Sequence, residues 1–185
     1  MNFSKHFSIN RLARFAGVLF ISVLPVLPSQ AVAALGASVT LKSGEPTGIY
    51  PGEVTIIEIT LANSNAGAQV SNVEFNTSLP GTLPNGLKIS ELATYSCYDP
   101  SGPTTLVGSG VLTATTDSQA INLSGGVIPA RSNGVDGTCT ILVPVTAGTS
   151  SGSSATYAYE IADGAVTGND GGAVANTGTV SQSIN

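Results

Sequence analysis

Hydrophobic and polar residues alternate along most of the chain after residue 37. The clearest runs of this alternation are 38–42, 56–61, 72–79, 138–145 and 156–161. Successive side chains of a β-strand point to opposite faces, so each run predicts a strand with one face in a core and the other toward water. Shorter strand candidates are 87–90, 94–98, 110–115, 119–123 and 178–184.

Turn-forming residues separate these segments. Glycine, proline and asparagine gather at 50–52, 80–81, 84–86, 99–103, 124–126 and 133–134. Many short strands with turns between them favour an antiparallel β-sandwich over a parallel α/β sheet. Pro144 lies inside one of the strongest strand patterns, so we expect an edge, an end or a bulge of a sheet at that position.

The N-terminal segment has the three parts of a secretory signal peptide. Lys5, Arg11 and Arg14 provide a positive charge, residues 16–28 form a short apolar helical stretch, and residues 31–33 have the small-x-small pattern Ala-Val-Ala. We therefore expect residues 1–33 to be removed on export.

Cleavage between Ala33 and Ala34 would leave residues 34–185 as a single domain. The alternative is an uncleaved membrane anchor, but Pro25 and Pro28 would interrupt its helix. We predict a secreted or cell-surface protein whose mature form does not cross a membrane, since no second long apolar run follows.

The charge of the chain changes with this cleavage. Residues 1–33 contain three of the six basic residues and none of the eleven acidic ones, so the mature chain has a net charge of −8. An acidic surface repels the phosphate backbone, and we therefore expect no nucleic-acid partner.

Two cysteines, Cys97 and Cys139, are present in the chain. In an exported protein, an even number of cysteines favours a disulfide bond, and two buried free thiols are the alternative. A disulfide that closes the loop between residues 97 and 139 would stabilise the fold by roughly 4 kcal/mol.

An ordered series of short motifs resembles a known family. The motifs, in chain order, are Thr-Ser-Leu-Pro at 77–80, Asn-Gly-Leu at 85–87 and Cys97. They continue with an Ile-x-Leu strand and a Gly-Gly-Val-Ile-Pro-Ala turn at 121–130, Cys139 at the start of a Val-rich strand to 146, and a Tyr strand that leads into Gly-Ala-Val at 159–166. The series resembles the conserved-repeat β-sandwich domains of bacterial surface and extracellular proteins, a family of unknown function. The resemblance implies an immunoglobulin-like sandwich with a structural or adhesive surface role, and it supplies no catalytic residue.

Residue types that perform catalysis are scarce. The single histidine is His6, inside the predicted signal peptide, so the mature chain would contain no imidazole base and no Ser-His-Asp arrangement. We expect no enzyme activity and no cofactor. Tyr95 and Tyr98 are candidates for a sugar-binding face, although we favour Tyr95 packing inward beside Cys97 and Tyr98 covering one end of the sandwich.

The segment 163–170 carries several oxygen ligands. Asp163, Asn169 and Asp170 are candidate calcium ligands, because calcium prefers six to eight oxygens. Their spacing matches no known calcium loop, so a plain loop is the favoured interpretation.

These patterns leave three functional hypotheses. We favour a non-enzymatic structural or adhesive module whose partners are other surface or matrix proteins, or a second copy of itself. One alternative is a filament subunit that donates the segment 34–50 as a strand to a neighbour, although pairing of that segment within its own domain is favoured. The other alternative is a calcium- or carbohydrate-binding surface module.

Overall fold

The computed structural model describes residues 35–102, 105–107, 109–148 and 156–185, and all regular structure in these ranges is β. In chain order the strands are β1 (Leu35–Leu41), β2 (Val54–Asn63), β3 (Val70–Ser78), β4 (Leu87–Ile89), β5 (Thr94–Tyr98), β6 (Thr105–Val107), β7 (Val111–Thr113), β8 (Ala120–Ile128), β9 (Gly137–Ala147), β10 (Tyr157–Ile161), β11 (Val166–Asn169), β12 (Ala173–Ala175) and β13 (Val180–Ile184). The predicted helical signal peptide, with Ala33 and Ala34, lies outside the described residues. No helix long and apolar enough to span a membrane occurs in the described ranges.

The strands form two main antiparallel sheets and one smaller pair. The first sheet has the order β1, β2, β9, β5, β6, and β4 also pairs with β9. The second sheet has the order β12, β11, β3, β8, β7, and β10 pairs with β13. The predicted all-β antiparallel sandwich is confirmed.

The inward faces of both sheets supply one hydrophobic core. The alternation predicted from sequence is confirmed in β2, where Ile57, Ile59 and Leu61 are fully buried. The largest fully buried side chains are Tyr159, Phe75, Leu35, Ile57, Ile59, Leu61, Leu87, Ile89, Ile121, Ile128, Ile141 and Ile161. Burial of this apolar surface is the main force that holds the two sheets together.

β1 forms one edge of the first sheet and lies beside β13. Leu35 makes a parallel bridge with Asn176. At the other end, the Asn185 N–H donates to the Thr47 carbonyl (2.9 Å), and the Asn185 carbonyl accepts from the Ile49 N–H (2.7 Å). β1 and β13 therefore run in the same direction, and both ends of this contact are hydrogen-bonded.

Pro144 lies in an interior strand, where the sequence predicted an edge, an end or a bulge. It faces Ile56 in an unbroken register between β9 and β2. On the other side of β9, β4 ends at Ile89 and β5 begins at Thr94, and the Pro144 carbonyl accepts the Ser90 N–H (2.9 Å). The N–H and C=O of a residue point to the same side of an antiparallel strand, so the missing N–H faces the interval between β4 and β5. β9 is an interior strand, but its pairing is interrupted at Pro144 on this side, so the end that the sequence predicted is present on one side of the strand only.

Residues 124–126, predicted as a turn, lie inside β8. Between the pairs Val73–Gly126 and Phe75–Leu123, β8 has one more residue than β3, and Gly125 has a φ of 67°. A glycine with positive φ in this position forms a β-bulge rather than a turn. The strand therefore continues through the glycine pair to Ile128.

Three short strands were not predicted: β6, β11 and β12. β11 occupies part of the segment 163–170, which the sequence favoured as a plain loop, and that interpretation is corrected. The strand forms because its main chain pairs with β3 on one side and β12 on the other. Its four residues are too few to show a periodic pattern.

Candidate functional site

The disulfide between Cys97 and Cys139 is confirmed, with an S–S distance of 2.02 Å. The two cysteines face each other in register on β5 and β9, so the bond joins neighbouring strands of one sheet. Their sulfur atoms lie 3.6 and 3.4 Å from the Val127 carbonyl oxygen of the opposite sheet. The disulfide is therefore a buried part of the core.

Tyr95 and Tyr98 point to opposite faces of β5. A Cβ added at Gly126 in the second sheet would lie 3.0 Å from the Tyr95 hydroxyl oxygen, so this ring crosses the core. Tyr98 is 43% exposed on the outer face. The expected inward packing of Tyr95 is present, and the two rings do not form a shared sugar-binding surface.

The calcium candidates are distributed along β11. Asp163 precedes the strand and accepts the Gly178 N–H (2.7 Å), whereas Asp170 follows the strand and accepts from the Asn65 amide (3.0 Å). The Asn169 side-chain oxygen accepts the Gly171 N–H (2.9 Å). The four residues of β11, about 13 Å of extended chain, lie between the two aspartates. In the described ranges, no group of three or more His, Cys, Asp or Glu side chains is arranged to hold a metal ion.

The outer face of the first sheet carries rows of aligned side chains. Strand register places Ser38, Thr60, Thr140 and Ser96 in one row of hydroxyl groups. The row beside it contains Thr40, Glu58, Leu142 and Thr94. Beyond it, Ile56 lies opposite Pro144, and Val54 lies opposite Thr146, which in turn faces Lys88. The outer face thus changes from hydroxyl-rich to apolar along the strands.

Exposed hydrophobic side chains are concentrated at this apolar end. Seven large hydrophobic residues are exposed in the described part of the chain, and four of them lie here: Tyr50 (76%), Val54 (37%), Leu83 (40%) and Leu92 (82%). We define the apolar patch as Tyr50, Val54, Ile56, Leu83, Leu92, Leu142 and Pro144. A concentration of exposed apolar side chains on one surface is typical of an interaction site.

Local turns position two of these side chains. The Glu53 N–H donates to the Tyr50 carbonyl (2.9 Å), and Gly52 has a φ of 90°, as the third position of a type II turn after Pro51 requires. Leu92 lies in the connection from β4 to β5, which the hydrogen bond from Ser90 to β9 holds beside the first sheet. Both residues therefore project from anchored backbone.

A cavity of about 440 Å³ opens at the apolar patch. Its lining consists of Gly52, Val54, Leu83, Pro84, Lys88, Ser90, Asp117, Thr146, Ala147 and Gly148. A Cβ at Gly148 would lie 1.7 Å from the Pro84 carbonyl oxygen, so only glycine permits this wall of the cavity to form. We refer to this space as the patch cavity.

Polar groups in the patch cavity are few. The Lys88 ammonium and the Asp117 carboxylate form an ion pair at 2.5 Å, with side chains 35% and 72% exposed. The Ser90 hydroxyl is buried and has no hydrogen-bond partner in the described structure. The cavity therefore combines an apolar wall with one ion pair and one unsatisfied hydroxyl.

Two other depressions lie away from the apolar patch. One of about 490 Å³ borders the disulfide, with Cys97, Asp99 and Arg131 in its lining. Hydrogen bonds from the Ser101 hydroxyl and N–H lower the pKa of the Asp99 carboxyl, which stays charged. The other depression, of about 380 Å³, lies on the second sheet beside Asn76 and Asn122. No residue of the apolar patch lines either depression.

The apolar patch and the patch cavity are not evident from the sequence pattern. Ile56, Leu142 and Pro144 are the outward members of alternating strands, and nothing in a single strand shows that they become neighbours. The pairing of β2 with β9 brings them together. Tyr50 and Leu83 were visible only as residues of turn-rich segments.

No family model matches the chain, and no curated protein matches it. Among solved structures, the chain is similar to a cohesin module from a family 33 glycoside hydrolase of Clostridium perfringens ATCC13124, with a TM-score of 0.46 and 12% sequence identity. The similarity covers 82% of this chain and 96% of the module. A likeness at this level identifies neither a family nor a function.

Proposed function

We propose that this chain is an exported, non-enzymatic β-sandwich module with a structural or adhesive role, and that it binds another protein through the apolar patch. The observation that supports this proposal most strongly is the concentration of Tyr50, Val54, Leu83 and Leu92 at one end of a single sheet. Contiguous exposed apolar side chains mark interaction surfaces, and tyrosine is among the residue types that contribute most binding free energy at an interface.

Export is supported by two independent features. Residues 1–33 have the composition of a signal peptide, and the buried disulfide is a bond that forms and persists in oxidising compartments. Removal of these residues would leave 34–185 as one domain without a histidine, which supports a non-enzymatic role.

A protein is the partner class that the charge favours. The described chain contains Lys42, Lys88 and Arg131 as its basic residues against eleven acidic ones. Nucleic acids and anionic membrane surfaces attract basic proteins and repel acidic ones. A hydroxyl-rich sheet with an apolar end is instead compatible with a protein surface, because interfaces combine an apolar centre with a polar rim.

Site-specific photo-crosslinking in the producing cells tests this function. A photoreactive amino acid replaces Leu92, and as a matched control it replaces Val111, which is 66% exposed on β7 of the other sheet. We expect a discrete protein adduct from position 92 and none from position 111. Absence of an adduct at position 92, or the same adduct from both positions, would contradict a binding role for the apolar patch.

The alternative of strand donation depends on whether β1 is paired within its own domain. β1, which covers seven of the 17 residues in the proposed donor segment 34–50, pairs along its whole length with β2 of the same chain. Its Leu35 and Val39 side chains are buried in the core. The segment is thus integrated into its own fold, which favours the module over the filament subunit.

A further inference from the structure

We infer that the patch cavity accepts one apolar side chain from an extended segment of the partner, and that basic residues flank this side chain in the partner. This inference rests on the proposed function and assigns the chemistry of the segment that is bound. Three observations support it: the volume and lining of the cavity, the charges around it, and the net charge of the chain.

The volume of the cavity is suited to a single anchor. About 440 Å³ is at the lower end of the range of about 300–1,000 Å³ for ligand sites. That space holds one large apolar side chain with the main chain on either side of it. Val54, Leu83 and Pro84 supply apolar contacts, and the tight approach of Gly148 to Pro84 fixes the shape of the wall.

The charges around the apolar patch favour a basic partner. Four carboxylates border it: Glu53 and Glu91, which adjoin Val54 and Leu92 in sequence, Glu58 in the row of Leu142, and Asp117 at the patch cavity. Two basic residues lie nearby. Lys88 is already paired with Asp117, and the main-chain N–H of Lys42 donates to the Ile56 carbonyl. The border therefore has a net charge of −2.

A second copy of this chain fits the surface less well. Two copies placed face to face would bring two acidic borders together, and like charges across an interface oppose association. A partner with lysine or arginine beside its apolar anchor would complement the acidic border instead, in which Asp117 pairs with Lys88 and Glu53 accepts the Tyr50 N–H (3.0 Å).

NMR titration of the isotope-labelled protein, expressed from the full-length sequence, tests the inference with three blocked tripeptides: Lys-Leu-Lys, Glu-Leu-Glu and Lys-Ser-Lys. We expect Lys-Leu-Lys to bind with a Kd of about 1 mM, as a single anchor allows. Its shifts should cluster at Gly52, Val54, Lys88 and Gly148. The other two peptides should bind about tenfold more weakly, since one has the wrong charge and the other has no apolar anchor.

Two variants make the test specific to the cavity. Val54→Asn removes an apolar wall residue without adding charge and should weaken Lys-Leu-Lys binding by about fivefold. Val111→Asn makes the same change on the opposite sheet and should leave binding unaltered.

Three outcomes would each overturn the inference: equal binding of Lys-Leu-Lys and Glu-Leu-Glu, shifts centred on another depression, or no saturable shift. A position-92 adduct with a partner, found together with such a failure, would leave the proposed function standing and remove only the assignment of the bound segment.

Discussion

At the residue scale, Asn63 is a buried amide that links the end of β2 to the β2–β3 connection and to the residue after β8. Its side-chain nitrogen donates to the carbonyls of Ala68 and Pro129, and its side-chain oxygen accepts the Asn65 N–H, each at 2.9 Å. Asn63→Ala should lower the free energy of unfolding by about 3 kcal/mol, because buried partners lose their hydrogen bonds. Urea denaturation measures the loss. Asn76→Ala, at an exposed position, is the control and should change it by less than about 0.5 kcal/mol.

Tyr95 makes the stability of the protein depend on alkaline pH. Burial raises the pKa of the Tyr95 phenol to about 12, from the usual 10.0. The contribution of the protonated Tyr95 phenol to the free energy of unfolding is fully present below pH 10. It is lost between pH 10 and 12, because the phenol of the unfolded chain releases its proton at a lower pH than the phenol of the folded chain. Burial raises the pKa of Tyr159 as well, with an effect of the same sign.

Tyr95→Phe should make the alkaline loss of stability less steep while leaving stability at pH 7 unchanged or higher. The substitution removes a buried hydroxyl that has no partner in the described structure. Thermal melts from pH 7 to pH 11 measure both effects. An alkaline slope equal to that of the wild type would show that Tyr95 is not the titrating group.

Which residues face the core was predictable from sequence, whereas the buried amides were not. Alternation identified Ile57, Phe75 and Cys139 as inward residues, and all three are buried. Asn63 and Asn176 are also buried, although asparagine is usually exposed. Their burial depends on carbonyl groups from distant parts of the chain, and a local pattern does not contain that information.

At the element scale, β1 distinguishes integration into the fold from strand donation. Val39 is 6% exposed in the core, whereas its neighbour Thr40 faces solvent. Val39→Asp should therefore unfold the protein or lower its melting temperature strongly, because it places a charge in the core. Circular dichroism measures the melt, and Thr40→Asp is the matched control with little expected change. A Val39→Asp protein that melts like the wild type and only loses oligomers would favour donation of β1.

The disulfide links β5 and β9 and should contribute strongly to stability. Replacing both Cys97 and Cys139 with alanine should lower the free energy of unfolding by about 2–5 kcal/mol. Reduced wild-type protein keeps both sulfur atoms and separates the loss of the bond from the loss of packing. If the double variant melts at the wild-type temperature, the bond has no stabilising role.

Strands with several alternating residues were predictable, and short strands were not. β2, β3 and β9 were identified because six to eight consecutive residues in each repeat the same two-residue period. β11 has four residues, and β12 has three. Such strands form because a neighbouring strand pairs with them, so pairing partners rather than local propensity determine their existence.

At the scale of the whole molecule, the acidic charge should keep the protein monomeric near neutral pH. The full sequence has a pI of about 4.5, and removal of the three basic residues in 1–33 lowers the pI of the mature chain. Light scattering of the mature protein at pH 7 and low salt should show a monomer, and association should begin as the pH falls below about 4.5, because repulsion disappears while the apolar patch remains exposed.

A variant in the apolar patch tests the cause of this association. Leu92→Ser should reduce association at low pH, and Val135→Ser, at an exposed position away from the patch, should not. A stable dimer of the wild type at pH 7 would indicate that the patch binds a second copy, in contradiction to a basic partner.

The sandwich could be predicted at this scale, but the candidate site could not. Periodicity, turns and two cysteines were sufficient for an antiparallel sandwich with a disulfide. The apolar patch combines side chains from β2, β9 and three connections, so its existence depends on strand order and register. Neither property is contained in any single segment of the sequence.

The same-direction contact of β1 and β13 has a mechanical consequence. Leu35 begins β1 beside Asn176, and Asn185 follows β13 at the other end of the contact. A force that pulls Leu35 and Asn185 apart acts along both strands, so it loads the seven residue pairs between β1 and β2 in shear. All of these pairs must rupture together rather than one after another. Tension applied through these two points would therefore meet high resistance before the first strand is released.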